Sequence, residues 1–206
     1  MEPTYIVAPL SALNIELDSS FFLRNYQPNV LKGKAPLNIE ILFDNIFQDK
    51  GFSLQLIPDN EFPRAILGLS EMDNKIIKIR ESDYLSCETE GYPRMTMAHE
   101  VGHSRLHSTQ FEQNGMKMYR TQSNHIPSFI SAEWQAMVWA SATLMPFQAM
   151  TQIIANIPEK DRISVIMKKF IVSKSAAEVR LNTLNTYLND GRYNKIESAM
   201  KEKGLI

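Results

Sequence analysis

A chain of 206 residues, 44% hydrophobic and 22% charged with a formal net charge of −1, suits one globular domain or one domain with a small appendage. That balance excludes a disordered chain and gives no sign of a nucleic-acid coat or a membrane-surface protein. A single cysteine, Cys87, excludes an intrachain disulfide. With no basic and apolar leader and no long apolar span, the expected location is the cytoplasm, with no membrane partner.

Residues 11–25 predict a first helix, with Ser11 as N-cap and Pro28 beyond its end. Residues 37–48 predict a second, opened by Pro36 and stopped by Gly51, with Ile39, Leu42, Phe43, Ile46 and Phe47 at helical spacing. Alternation over 52–57 predicts a strand; 65–69 and 75–80 predict two more, joined by a polar turn at Asp73 and Asn74. A helix over 95–106 follows, then a polar stretch over 107–127, containing Gly115, that reads as a long loop. The segment 131–145 predicts another helix, and Pro146 opens a further one to 154. The most apolar run, 136–150, is interrupted by Ser141, Thr143, Pro146 and Gln148, so it reads as buried and not membrane-spanning. From 159 onward the pattern gives two or three short helices, with Ser175 and Glu178 at capping-box spacing. Helices, then a small sheet, then helices is an α+β order, divided here into 1–150 and a C-terminal helical subdomain over 151–206.

Three of the four histidines fall within nine residues, at 99, 103 and 107. Over 99–103 the sequence is His-Glu-Val-Gly-His, and its mechanical meaning is specific. Side chains four apart share one face of a helix, so His99 and His103 can both reach one metal ion. Glu100, one residue round, can touch a water on that ion and not the ion itself, which is the ligand and base arrangement of zinc peptidases. Such a site wants a third protein ligand, which can be His, Asp or Glu. His107 is the obvious neighbour, but three residues at successive four-residue steps span about 12 Å of a straight helix at a rise of ~1.5 Å per residue, too far for all three to converge. The metzincin arrangement fails as well: its glycine position is Leu106 here and its third-ligand position is Thr109. Glu133 is the better candidate, an acid at the start of an otherwise apolar helix, where a carboxylate should be partly buried and in need of a partner.

These segments resemble a known family. Arg94-Met-Thr-Met-Ala-His-Glu-Val-Gly-His103 is similar to the Arg-Phe-Thr-Leu-Ala-His-Glu-Leu-Gly-His signature of ImmA/IrrE-type metallopeptidases. Residues 133–146 resemble the second block of that family, Glu-x-Gln-Ala-Asn-x-Phe-Ala followed by Leu-Leu-Met-Pro, and 170–181 resemble its Phe-x-Val-Ser-x-x-Ala-x-x-x-Arg-Leu block. Residues 36–80 also suit the helix and strands that precede the active helix there. The resemblance implies a zincin-like metallopeptidase domain over 1–150, with zinc held by His99, His103 and Glu133 and with Glu100 as general base. It further implies a cytoplasmic endopeptidase whose substrate is a helix-turn-helix transcriptional repressor, in a mobile-element, prophage or stress-response setting. One departure stands out. The family's Asn, four residues after the Glu ligand, is Met137 here, and loss of a polar group that orients a ligand typically costs ~10–100-fold in metal affinity or activity unless another group substitutes. Trp139 in place of Phe is milder.

Other residues carry weaker expectations. His107, Tyr119 and His125 are candidates for oxyanion stabilisation or support of a ligand. Gly102 suggests close packing of another element over its turn, because glycine costs a helix ~1 kcal/mol relative to alanine. Cys87 could cap a metal or be an inert thiol. Arg94 could pair with an acid near the site or be solvated. A rival reading is a regulatory protein- or DNA-binding module with a dormant metal site, supported by Met137 and by the C-terminal helices. Residues 168–206 hold eight Lys/Arg against four Asp/Glu, and 172–181 could pass for half of a helix-turn-helix that meets phosphates.

Overall fold

The structure is a computed structural model that describes residues 4–62, 66–113, 119–121 and 126–206. The side chain of Ser11 accepts from the Asn14 N–H, so helix α1 (Ala12–Tyr26) begins where the sequence predicts. A single turn, α2 (Pro28–Leu31), follows. Helix α3 (Ile39–Lys50) starts slightly later than predicted, because Asn38 and not the Pro36 region provides the cap by accepting from the Ile41 N–H. It ends as predicted at Gly51, whose φ of 70° is the left-handed conformation glycine adopts without strain.

Strands β2 (Ser53–Ile57), β3 (Gly68–Glu71) and β4 (Ile76–Arg80) form one sheet in the order β2-β4-β3. The parallel pair is β2 with β4; β3 runs antiparallel to β4, with Gly68 opposite Ile79 and Glu71 opposite Ile76. The turn lies where Asp73 and Asn74 predict it, but the strand expected over 65–69 is shifted towards the turn, and Ala65 lies outside the described residues. Ile77 and Ile79 of the central strand are fully buried. After α4 (Glu81–Ser86) comes α5 (Gly91–Gln113), 23 residues long, almost twice the predicted span. The expected loop over 107–127 is therefore corrected: its first part is helix, and strand β5 (Tyr119–Thr121) pairs antiparallel with an unpredicted strand β1 (Thr4–Ile6). A 3-10 turn, Ser128–Ile130, leads into the next helix. The helix extension escaped a hydrophobicity pattern because its buried positions are polar: His107 and Ser108 are at most 4% exposed. Ser104 satisfies its hydroxyl on the Glu100 carbonyl, and His107 finds side-chain partners.

Helix α6 (Ala132–Leu144) is capped by Ser131, which accepts from the Trp134 N–H, and lies between α5 and α1. Ala136, Trp139 and Ala140 are fully buried, as an all-round apolar helix requires. Helices α7 (Phe147–Asn156), α8 (Glu159–Phe170), α9 (Lys174–Asn189) and α10 (Arg192–Glu202) complete the chain. The cap of α9 is Ser173, accepting from the Ala176 N–H, so the capping box expected at Ser175 and Glu178 is not the helix start. One hydrophobic cluster runs from Ala12 to Leu205 and includes residues on both sides of position 150. The pair Arg180–Glu16 crosses the same boundary. The molecule is thus mostly helical with a small three-stranded sheet, an α+β fold. Among the described residues no helix is long and apolar enough to cross a membrane.

Candidate metal centre

His99 and His103 stand one turn apart on α5, their rings nearly perpendicular at 89° and their Nε2 atoms 3.0 Å apart. The third group comes from α6, and glycine makes its approach possible. A Cβ on Gly102 would stand 3.0 Å from the Ala136 carbonyl oxygen and 3.3 Å from its Cα, so the two helices meet through the missing side chain, as the glycine itself suggests. The first turn of α6 then places Glu133 over the histidines. Its Oε2 lies 3.2 Å from His99 Nε2 and its Oε1 3.4 Å from His103 Nε2.

The imidazole nitrogens stand 3.0 Å apart and each has one of the two Glu133 oxygens at 3.2 or 3.4 Å, distances that can be compared with a known geometry. Ligand atoms about 2.0–2.1 Å from a tetrahedral zinc stand about 3.3–3.4 Å from one another. The spacing and the donor set, two imidazoles and one carboxylate, fit zinc, and these residues form a group able to hold a metal ion. The adjoining imidazoles, His103 and then His99, hold the Glu133 carboxyl well below the usual carboxylate range. Its side chain is 53% exposed, partly buried as expected, and it stands at the mouth of a cleft with the two imidazoles as its partners.

Glu100 points differently. It is 6% exposed, and its Oε2 accepts a 2.7 Å hydrogen bond from Ser70 Oγ on β3. Gly68, on the same strand, lies so close that a Cβ there would be 2.7 Å from Glu100 Cγ. Strand β3 thus clasps the carboxylate beside the paired histidines without adding it to them. Ser70 and Gly68 carried no signal in the sequence, because nothing in their spacing links β3 to the active helix.

His107 is buried at 1% exposure and outside the metal group. Its Nδ1 lies 3.3 Å from His103 Nδ1 and its Nε2 3.1 Å from Gln135 Oε1. Burial, reinforced by His103, pushes its pKa down to about 3, so it is neutral at physiological pH. Gln135 was visible in the sequence only as a member of a motif block. Arg94 meets neither expectation: it is buried, pairs with no acid among the described residues, and donates to the carbonyls of Cys87 and Leu37. Cys87 is buried, desolvation pushes its thiol up, and it does not line the cleft. Backbone positions of Tyr119 lie in β5, but its side chain, like the whole of His125, falls outside the described residues.

The cleft over the site has a volume of about 810 Å³. Its polar floor is His99, Glu100, His103 and Glu133, and its walls are largely apolar, with Leu67, Leu69, Met95, Phe111 and Met137 among them. Met137 is 47% exposed, one turn beyond Glu133, and extends the apolar wall.

Residues 85–182 match the family model of the IrrE N-terminal-like domain, a peptidase family. None of the curated proteins matches the chain. A solved structure described as a Mycobacterium tuberculosis transcriptional regulator resembles it with a TM-score of 0.51 at 13% identity, over 81% of this chain and 46% of that one. At that identity the likeness is one of fold, and the chain spans just under half of that protein's length. That family match spans just under half of the chain, includes the paired histidines, Glu100, Glu133 and Met137, and supports an ImmA/IrrE-type family.

Proposed function

We propose that the protein is a zinc-dependent endopeptidase with a zincin-like catalytic part over 1–150, buttressed by the helices of 151–206. The observation that carries this is the convergence of His99, His103 and Glu133 at ligand spacing, with a separate carboxylate, Glu100, beside them in one cleft. A zinc ion held by these three residues would supply Lewis acidity for the scissile carbonyl and lower the pKa of water towards ~7. Glu100 takes the proton of the attacking water and returns it to the leaving amine. Ser70 and Gly68 keep that carboxylate turned to its task. Strand β3 is paired on one side only among the described strands, and it borders the cleft, so an extended peptide can add alongside it through main-chain hydrogen bonds. The apolar walls then accept apolar side chains of that peptide.

The substrate is a helix-turn-helix repressor acting with this protein in the cytoplasm, as the ImmA/IrrE resemblance implies. The structural likeness to a protein described as a transcriptional regulator is in keeping with a regulatory setting. Purified Glu100→Gln protein should retain zinc and lose cleavage of the regulator encoded beside it, whereas His99→Ala should lose both. Undiminished cleavage by Glu100→Gln would refute the assigned base.

The rival, a DNA-binding module with a dormant site, rests on Met137 and the basic C-terminal charge. Helix α9 supports it poorly. Its two basic residues are Lys174, paired with Glu178, and Arg180, buried against Glu16. Retention on DNA that falls steeply with salt would favour the rival; zinc-loaded protein that cleaves its regulator and ignores DNA at low salt would remove it.

A further inference from the structure

We propose that Gln135 and His107 are positioning residues that fix the tautomer of His103, so that its Nε2 lone pair always faces the metal position. The inference rests on the metallopeptidase reading for its purpose but on geometry alone for its content.

The chain of contacts can be followed from its anchored end. Gln135 is fully buried, and its Nε2 donates to two backbone carbonyls, Ala8 at 2.9 Å and Phe129 at 2.8 Å. Both amide hydrogens are thereby used, and the amide cannot flip without setting its oxygen against two carbonyl oxygens. Gln135 Oε1 must therefore face His107 Nε2, 3.1 Å away, as an acceptor. His107 is buried and its hydrogen-bond partners, Gln135 and His103, are not acids, so a neutral ring with its hydrogen on Nε2 fits the geometry, which leaves its Nδ1 bare. Bare His107 Nδ1 lies 3.3 Å from His103 Nδ1, so the hydrogen of His103 must sit on its own Nδ1. Nε2 of His103 is then unprotonated and directed at His99 and Glu133. The reverse assignment places lone pairs against each other at Gln135, which is fully buried, and a buried polar group without a partner is costly.

The relay serves one ligand only. His99 Nδ1 is buried with no hydrogen-bond partner among the described residues. It also answers the departure at Met137. The polar support that an Asn could supply from the cleft side is given to His103 from behind, through α5 and α6, leaving position 137 free to be apolar.

The test starts with the full-length protein freed of metal by a chelator, at mildly alkaline pH. Long-range proton–nitrogen NMR of its imidazoles should show His103 carrying hydrogen on Nδ1 and His107 carrying it on Nε2. Hydrogen on Nε2 of His103, or on Nδ1 of His107, would overturn the proposal without any variant. Gln135→Met, which keeps the length but removes the acceptor, should give mixed tautomers at both histidines and weaken zinc binding ~10–100-fold in competition with a chelator. Wild-type tautomers together with wild-type zinc affinity in that variant would also overturn it. If the wild type shows the stated tautomers but binds no zinc, the relay stands and the metallopeptidase reading falls.

Discussion

Two carboxylates of this protein sit among groups that carry or attract positive charge, and they do so in opposite ways. Glu16 on α1 and Arg180 on α9 are each 1% exposed. Both oxygens of Glu16 receive guanidinium nitrogens, and Arg180 Nε donates its remaining hydrogen bond to the Met145 carbonyl. That pair is complete with what the chain itself encodes. Glu133 is half exposed and faces two imidazoles, which carry positive charge only by gaining a proton or by sharing an added cation. The first arrangement closes a seam between the ends of the chain; the second is built to be finished from solution. Burial and completeness separate the Glu16 carboxylate from that of Glu133.

The largest effect should come from breaking the closed pair. Arg180→Met strands Glu16 in the core and should cost ~3–5 kcal/mol in denaturant unfolding, while the double variant Glu16→Met with Arg180→Met should recover most of that loss. A single variant that costs less than about 1 kcal/mol would mean the pair does not hold the chain ends together. The open group should behave in reverse. In metal-free protein Glu133→Gln should change stability by less than about 1 kcal/mol, because an exposed pair contributes little. Zinc at about 100 times its Kd should stabilise the wild type by ~2.7 kcal/mol and this variant hardly at all. An equal zinc-induced shift in both would remove Glu133 from the ligand set.

The site's chemistry was more legible in the sequence than its supports. His99, Glu100 and His103 declare themselves because helical spacing converts four residues into one face. Glu133 could be nominated because an acid opening an apolar helix is conspicuous, but its place at the mouth of the cleft could not be foreseen, since that depends on where the cleft opens. Helix ends marked by Ser11 and Gly51 were readable because caps are local chemistry. Strands β1 and β5 were not, because three residues hold no alternation, and their pairing spans more than a hundred residues. The second half of α5 was hidden because its inner face is serine and histidine, residues whose burial depends on partners such as Gln135 from a different helix. Ser70 belongs to the same class: its role exists only after β3 has been laid against α5.

The smallest predicted effect tests whether the open group depends on helix packing as finely as the closed pair depends on charge. Gly102 is the point at which α6 crosses α5, and the nearest atoms to an added Cβ are backbone atoms of Ala136 at 3.0 and 3.3 Å and the Trp139 ring at 3.4 Å. Backbone cannot swing aside as a side-chain tip can, so Gly102→Ala should push α6 outward by a few tenths of an ångström. Alanine gains ~1 kcal/mol of helix propensity over glycine, which offsets much of the crowding, and net stability should move by less than about 1 kcal/mol. Glu133 rides on the displaced helix and the two histidines do not. The separations from Glu133 to the two imidazoles should therefore lengthen while that between the imidazoles does not, and zinc affinity should fall several-fold while unfolding stays near that of the wild type. Chelator competition paired with denaturant unfolding separates the two quantities. Zinc affinity unchanged in a variant of unchanged stability would show that α6 absorbs the methyl group without moving its first turn, and that the approach at Gly102 does not set the position of Glu133.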